Sequence, residues 1–122
     1  MLLVLFSFGS FAIVSDRIHA QDDPQPLTDQ YIQNRPVQAL YTIELTAAQI
    51  GWTSQLHWQA GQAHAALGDW RSAATHWQQA DLTDVEVLRR LSSAYSNLGE
   101  WGAAVDTLEL LLQRDPDHAW GN

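Results

Sequence analysis

Leu67-Gly68-Asp69-Trp70-Arg71-Ser72-Ala73 returns thirty-one residues later as Leu98-Gly99-Glu100-Trp101-Gly102-Ala103-Ala104. Each copy lies between two apolar patterns of helical period. Helix, glycine turn, aromatic, second helix, given twice, predicts an all-α chain of tandem antiparallel helical hairpins stacked into an array. Such arrays bind partners and seldom do chemistry themselves.

The second hairpin is the clearer one. Thr83 and Glu86 have capping-box spacing, and Leu82 and Val87 are placed as a hydrophobic staple across the same helix start. Leu88, Leu91, Ala94, Tyr95 and Leu98 form one apolar stripe, and Gly99 is placed to end the helix in a left-handed conformation. The return helix begins near Trp101 with a stripe of Ala104, Val105, Leu108, Leu111 and Leu112. Arg114 suits its last turn, and Asp115-Pro116-Asp117 stops it. In the first hairpin, Thr46 and Gln49 make another capping box with Leu45 and Ile50 at staple spacing. Its stripe runs through Leu56, Ala60, Ala63, His64 and Leu67, and Gly61 lets a neighbouring helix come close. Trp70, Ala73, Ala74, Trp77 and Ala80 line the return helix, small residues against large ones.

Ahead of these, Met1 to Val14 is almost unbroken apolar sequence. As a helix it is about 21 Å long, short of the roughly 30 Å hydrocarbon core. Residues 1–20 read either as a signal peptide, with Ile18-His19-Ala20 as the cleavage region, or as the end of a membrane anchor with Arg17 marking the cytoplasmic side. The chain is expected to be membrane-associated or exported, at the cell envelope of a bacterial-type cell. Membrane contact is expected only through residues 1–14. Residues 21–34, with Pro24 and Pro26, read as an extended linker. The repeat domain then covers residues 35–122. Its repeats are placed at about 47–82 and 83–116, after a degenerate half-repeat at 35–45 built on Pro36, Ala39, Leu40 and Ile43. A further repeat opens at 117 and is not completed. Two full hairpins fall below the number that usually stands alone, so either more chain or a partner is expected to cover the last apolar face.

This pattern resembles the tetratricopeptide repeat, whose hairpins carry W-x₂-L-G-x₂-Y, then A-x₃-F, then P. In the second repeat these positions fall on Leu88, Leu91, Ser92, Tyr95, Ala104, Leu108 and Pro116. In the first they fall on His57, Ala60, Gly61, His64, Ala73 and Trp77, with Ala80 a turn later and the proline missing. The resemblance covers about residues 47–118. It implies a right-handed superhelix in which the first helix of each hairpin lines a concave groove that binds a protein or peptide. Carried over residue by residue, it places Gln55, Trp58, Gln62 and Ala65 inward from the first repeat. From the second repeat it places Glu86, Arg89, Ser93 and Ser96 inward, with Asn97 at the edge. It also implies that Trp70 and Trp101 pack between hairpins.

The polar side chains of that face suit a peptide backbone, Arg89 a carboxylate, and Trp58 an apolar anchor. Formal net charge is −8 and all six basic residues are arginine, so a phosphate backbone is repelled and no nucleic-acid partner is expected. No cysteine is present, which removes thiolate chemistry and disulfides. His57 and His64 lie about 10.5 Å apart along a helix and cannot share a zinc ion by themselves; His64 stands where the family has a packed tyrosine. No catalytic, cofactor-binding or metal-binding residues are expected. The reading is a non-enzymatic interaction or scaffold module; the alternative is an accessory segment of a larger envelope enzyme, such as a glycosyltransferase or polymer ligase.

Overall fold

The computed structural model describes residues 27–115. The expectations for residues 1–20 and for the repeat opening at 117 lie outside those residues, as do residues 21–26 of the stretch read as linker. Among the described residues there are six helices and no strand: α1 (Asp29–Asn34), α2 (Pro36–Ile50), α3 (Ser54–Ala66), α4 (Trp70–Trp77), α5 (Val85–Leu98) and α6 (Trp101–Arg114). No described helix is long and apolar enough to cross a membrane. Helices α3 and α4 form one hairpin and α5 and α6 another. Helix α4 packs on α5, and α2 and α1 pack on α3.

The two corners share one backbone hydrogen-bond pattern. After α3, Gly68 N–H bonds Ala65 O and Asp69 N–H bonds His64 O, both at 2.9 Å. After α5, Gly99 N–H bonds Ser96 O at 3.0 Å and Glu100 N–H bonds Tyr95 O at 2.9 Å. Gly68 and Gly99 take φ of 80° and 75°, a conformation costly for a residue with a Cβ. Arg71 Nη1 then reaches Glu100 Oε2 at 2.6 Å, one corner to the next. Both side chains are substantially exposed, so this contact contributes little stability.

Burial follows the hairpins. Ala73, Ala74 and Trp77 of α4 meet Val87, Leu91 and Ala94 of α5 in one core cluster. Ile43 and Ala47 of α2 meet Leu56 and Ala60 of α3 in a second, and Ile32 of α1 meets Ala39 and Ala63 in a third. Gly61 on α3 faces Trp77, whose indole occupies the space a side chain would need. The indole N–H donates to Trp58 O at 3.2 Å.

Several helix boundaries differ from the expectation. Thr46 caps nothing: it lies inside α2, and its hydroxyl donates to Thr42 O at 2.8 Å. Nothing in Thr46–Ile50 breaks a helix, so α2 runs on to Gly51, and Leu45 and Ile50 are exposed rather than stapled. The cap of α3 is Thr53, whose hydroxyl accepts from Leu56 N–H at 3.1 Å. The first hairpin's helices therefore begin at Ser54, and the half-repeat is a full fifteen-residue helix. At α5, Asp81 captures both the amide and the hydroxyl of Thr83. Asp84 takes over the cap, accepting from Glu86 N–H at 2.9 Å. The Thr83 box lost to the side-chain oxygens of Asp81 and Asp84, whereas the Thr46 box lies inside an unbroken helix. The stretch read as linker is helical over Asp29–Asn34, because Ile32 finds a buried seat against α2 and α3.

On α6 the buried positions are Ala104, Thr107 and Leu111, while Val105 and Leu108 are exposed. Trp101 does not pack between hairpins and is 65% exposed. Trp101, Val105 and Leu108 are the thirty-one-residue counterparts of Trp70, Ala74 and Trp77, the side of α4 that α5 covers. Among the described residues no helix lies on α6 as α5 lies on α4.

Candidate functional site

Helices α3 and α5, the first of each hairpin, line the same surface, and two cavities open along their seam. The first, about 340 Å³, is lined by Ser54, Gln55 and Trp58 from α3, Asp81 and Asp84 from the connecting loop, and Glu86 and Val87 from α5. The second, about 160 Å³, lies further along α3, at Gln62, Ala65 and Ala66. Gln33 of α1, Trp70 and Trp77 of α4, and Arg90 and Ser93 of α5 complete it.

The inward residues derived from the resemblance divide between these places. Gln55, Trp58 and Glu86 line the first cavity; Gln62, Ala65 and Ser93 line the second. Arg89, Ser96 and Asn97 line neither. Arg89 is exposed and paired with Glu86, and Asn97 donates to Ser93 O at 2.9 Å. Arg90 is the cation nearer the seam. Its guanidinium lies 5.9 Å from the Trp58 ring centre, and its Nε donates to Glu86 Oε2 at 2.9 Å. The i, i+4 spacing of Glu86 and Arg90 was the available signal for that pair. Gln33 had no such signal, since it stands in the stretch read as linker.

Trp58 is half-buried. One side packs toward the core, 6.0 Å from the Trp77 ring, and Arg90 lies over the ring, within cation–π range. Glu86 carries opposing influences. Burial pushes its carboxyl upward, but hydrogen bonds from Arg89 and Arg90 outweigh this and hold it below the usual carboxylate range.

A second cluster stands at the α3–α4 hairpin. His57 Nδ1 and His76 Nδ1 lie 3.0 Å apart, so one ring donates to the other. Trp52 stacks on His57 at 4.7 Å, and His64 stacks on His76 at 5.4 Å. Asp69 lies 3.5 Å from His64 Nδ1. Among the described residues no group of three or more His, Cys, Asp or Glu is arranged to hold a metal. Burial pushes His57 below the usual imidazole range, and His76 is lowered by burial and then by neighbouring His64 and His57.

That depression gives a pH dependence with a definite sign. The folded chain favours neutral rings, so below about pH 6.5 the unfolded chain takes up protons that the folded chain refuses. Stability is retained above that value and lost as pH falls, by at most about 1.4 kcal/mol per pH unit for each histidine. The urea midpoint of the full chain is expected to drop between pH 7 and pH 5. The His57→Phe, His76→Phe double variant is expected to be nearly flat over the same window; an equal drop in that variant would locate the effect elsewhere. The carboxyls of Asp69, Asp81 and Glu86, all held low, lose their contributions only at more acid pH.

Comparison with known proteins adds one match. The family model described as tetratricopeptide repeat matches residues 86–118, which takes in most of α5 and all of α6. No curated protein and no solved structure matches the chain.

Proposed function

Because this chain carries a tetratricopeptide repeat over residues 86–118, we propose that it is a non-enzymatic interaction module that holds a segment of a protein partner along the α3–α5 seam. Repeats of this kind generally mediate protein–protein contacts, and the cavities beside α3 and α5 support that role for the seam. The observation that carries the reading is the pair of cavities on one seam, both walled by α3 and α5. Their linings on α3, Ser54 to Trp58 and Gln62 to Ala66, are centred about 13 Å apart along the helix axis. An extended segment covers that span in about four residues, so side chains on one face of it can enter both cavities. On this reading the hairpins follow the right-handed superhelical path that the family resemblance implies, with the seam on its concave side. With residues 1–20 serving as export signal or anchor, the module works at the cell envelope.

The test is affinity capture with the immobilised full chain, read by quantitative mass spectrometry. Partners recovered by the wild type are expected to fall about tenfold or more with Trp58→Ala plus Arg90→Ala, as for loss of a central aromatic and cation. Gln38→Ala, on the exposed face of α2, is expected to leave recovery unchanged. Thermal melts of all three proteins separate loss of binding from loss of fold. Equal recovery by the folded double variant would remove the seam as the binding face.

A further inference from the structure

Helix α6 carries an outward stripe of Trp101, Val105 and Leu108, exposed by 65%, 52% and 46%. One repeat earlier the same positions are not bare. They are Trp70, Ala74 and Trp77 of α4, and α5 lies on that helix through Val87, Leu91 and Ala94. The connection from α4 to α5 is short, so α5 runs back along α4. The chain therefore holds its own template for what the α6 face accepts. It is an antiparallel helix with apolar side chains spaced i, i+4, i+7.

The other end of the stack presents such a helix. On one side of α2, Ala39, Ile43 and Ala47 are buried, and Ile43 and Ala47 meet α3. On the opposite side Val37, Tyr41 and Leu45 follow at i, i+4, i+8, exposed by 62%, 68% and 48%. Among the described residues no helix covers either stripe. One apolar face thus stands at each end, and α2 of one copy can take on another copy the place that α5 takes within a copy.

Charge decides between the ways of pairing these faces. Asp106 and Glu109 stand beside the α6 stripe, both exposed. Two α6 faces laid together would bring the carboxylates of both copies into one contact, in a chain of net charge −8. Like charges across a contact oppose it. In the antiparallel arrangement of the template, Trp101 meets Leu45 and Val105 meets Tyr41. The start of α2 then lies along the last turns of α6. Arg35, at the N-cap of α2 and exposed, comes opposite Glu109.

We propose that copies of this chain associate head to tail, the outward face of α2 on one copy seated on the α6 face of the next. The contact is heterologous, so each addition leaves a free face and the solenoid continues from copy to copy. Contacts between single helices sit at the low end of interface sizes, below about 1,200 Å², so assembly is reversible and grows with concentration.

The test is sedimentation of the full chain from micromolar to millimolar concentration. The wild type is expected to grow past two copies as concentration rises. Tyr41→Glu spoils one face and Trp101→Glu the other, both at exposed positions. Each alone is expected to weaken association about tenfold or more, as for loss of a central aromatic. Their equimolar mixture is expected to recover association and stop at two copies, since each variant keeps the face that the other lacks. The chain has no cysteine, so a second measurement reads the contact directly. Tyr41→Cys mixed with Val105→Cys is expected to form disulfide-linked pairs about tenfold faster than either protein alone, because only the mixture brings the two thiols face to face. A wild type that stays monomeric, with no excess cross-linking in the mixture, overturns the proposal and leaves the α6 face to a different protein. Assembly that stops at two copies, lost with Trp101→Glu and kept with Tyr41→Glu, shows α6 facing α6 and overturns it too. So does association that neither glutamate weakens, when the cysteine mixture links no faster than its components.

Discussion

Replacing Trp77 by alanine is expected to cost about 3–5 kcal/mol of folding stability, a large share of the roughly 5–15 kcal/mol a small domain possesses. Trp77 is 1% exposed and is the largest fully buried side chain among the described residues. It belongs to the cluster that joins the two hairpins, touching α4 and α5 partners at once. Its indole N–H also holds Trp58 O on α3, so removing it leaves a cavity and releases a carbonyl together. Urea denaturation followed by circular dichroism measures the loss directly. A change below about 1 kcal/mol would mean that this junction collapses around the smaller side chain and that the hairpins are held elsewhere.

Gly61→Ala is expected to destabilise the chain by about 1–3 kcal/mol or more, although alanine is the better helix former by about 1 kcal/mol. A Cβ at Gly61 would lie 2.2 Å from Trp77 Nε1, 2.4 Å from Cδ1 and 2.6 Å from Cε2. The ring cannot swing away cheaply, because α5 packs against it and Trp58 O holds its N–H. Steric cost therefore outweighs propensity. Gly102 on α6 is the control: a Cβ there meets nothing within 4 Å. Gly102→Ala is expected to raise stability by up to about 1 kcal/mol. Combining Gly61→Ala with Trp77→Leu is expected to cost less than the sum of the two, since the smaller side chain vacates the space the methyl needs. Additive losses would show that the two sites are not in contact.

The parts of this fold that sequence could reveal are those decided within a few residues. The corners at Gly68 and Gly99 were legible because the motif is a local hydrogen-bond pattern, and both were placed correctly. The stripe Leu88, Leu91, Ala94 was legible because helical period is local. Capping was local too, yet two boxes failed. Thr46 sits in a helix that nothing interrupts, and Thr83 is taken by Asp81. The spacing was right for a cap, but a nearer oxygen or an unbroken helix won. Helix α1 was illegible because Ile32 is buried by Ala39 and Ala63, contacts the stretch 21–34 does not contain. The facing of His57 and His76 crosses nineteen residues and depends on how the hairpin closes.

The candidate site divides the same way. The face of α3 was implied by the family resemblance, and Gln55, Trp58, Gln62 and Ala65 all line cavities. On α5, Arg89 and Arg90 are adjacent, and their relation to the seam depends on how α5 sits against α3. The helix sits so that Arg90 covers Trp58 and Arg89 turns outward. Trp101 was read by analogy with Trp70, but the two differ in what lies across from them: α5 covers Trp70, and no described helix covers Trp101.

Trp77 also lines the smaller cavity, so one indole belongs both to the hairpin junction and to the groove wall. Occupancy and folding are thereby thermodynamically linked. A segment present at a hundred times its dissociation constant raises stability by about 2.7 kcal/mol. The same ring makes the molecule its own reporter: intrinsic tryptophan fluorescence shifts when the groove fills, and a thermal-shift screen reads binding without a label.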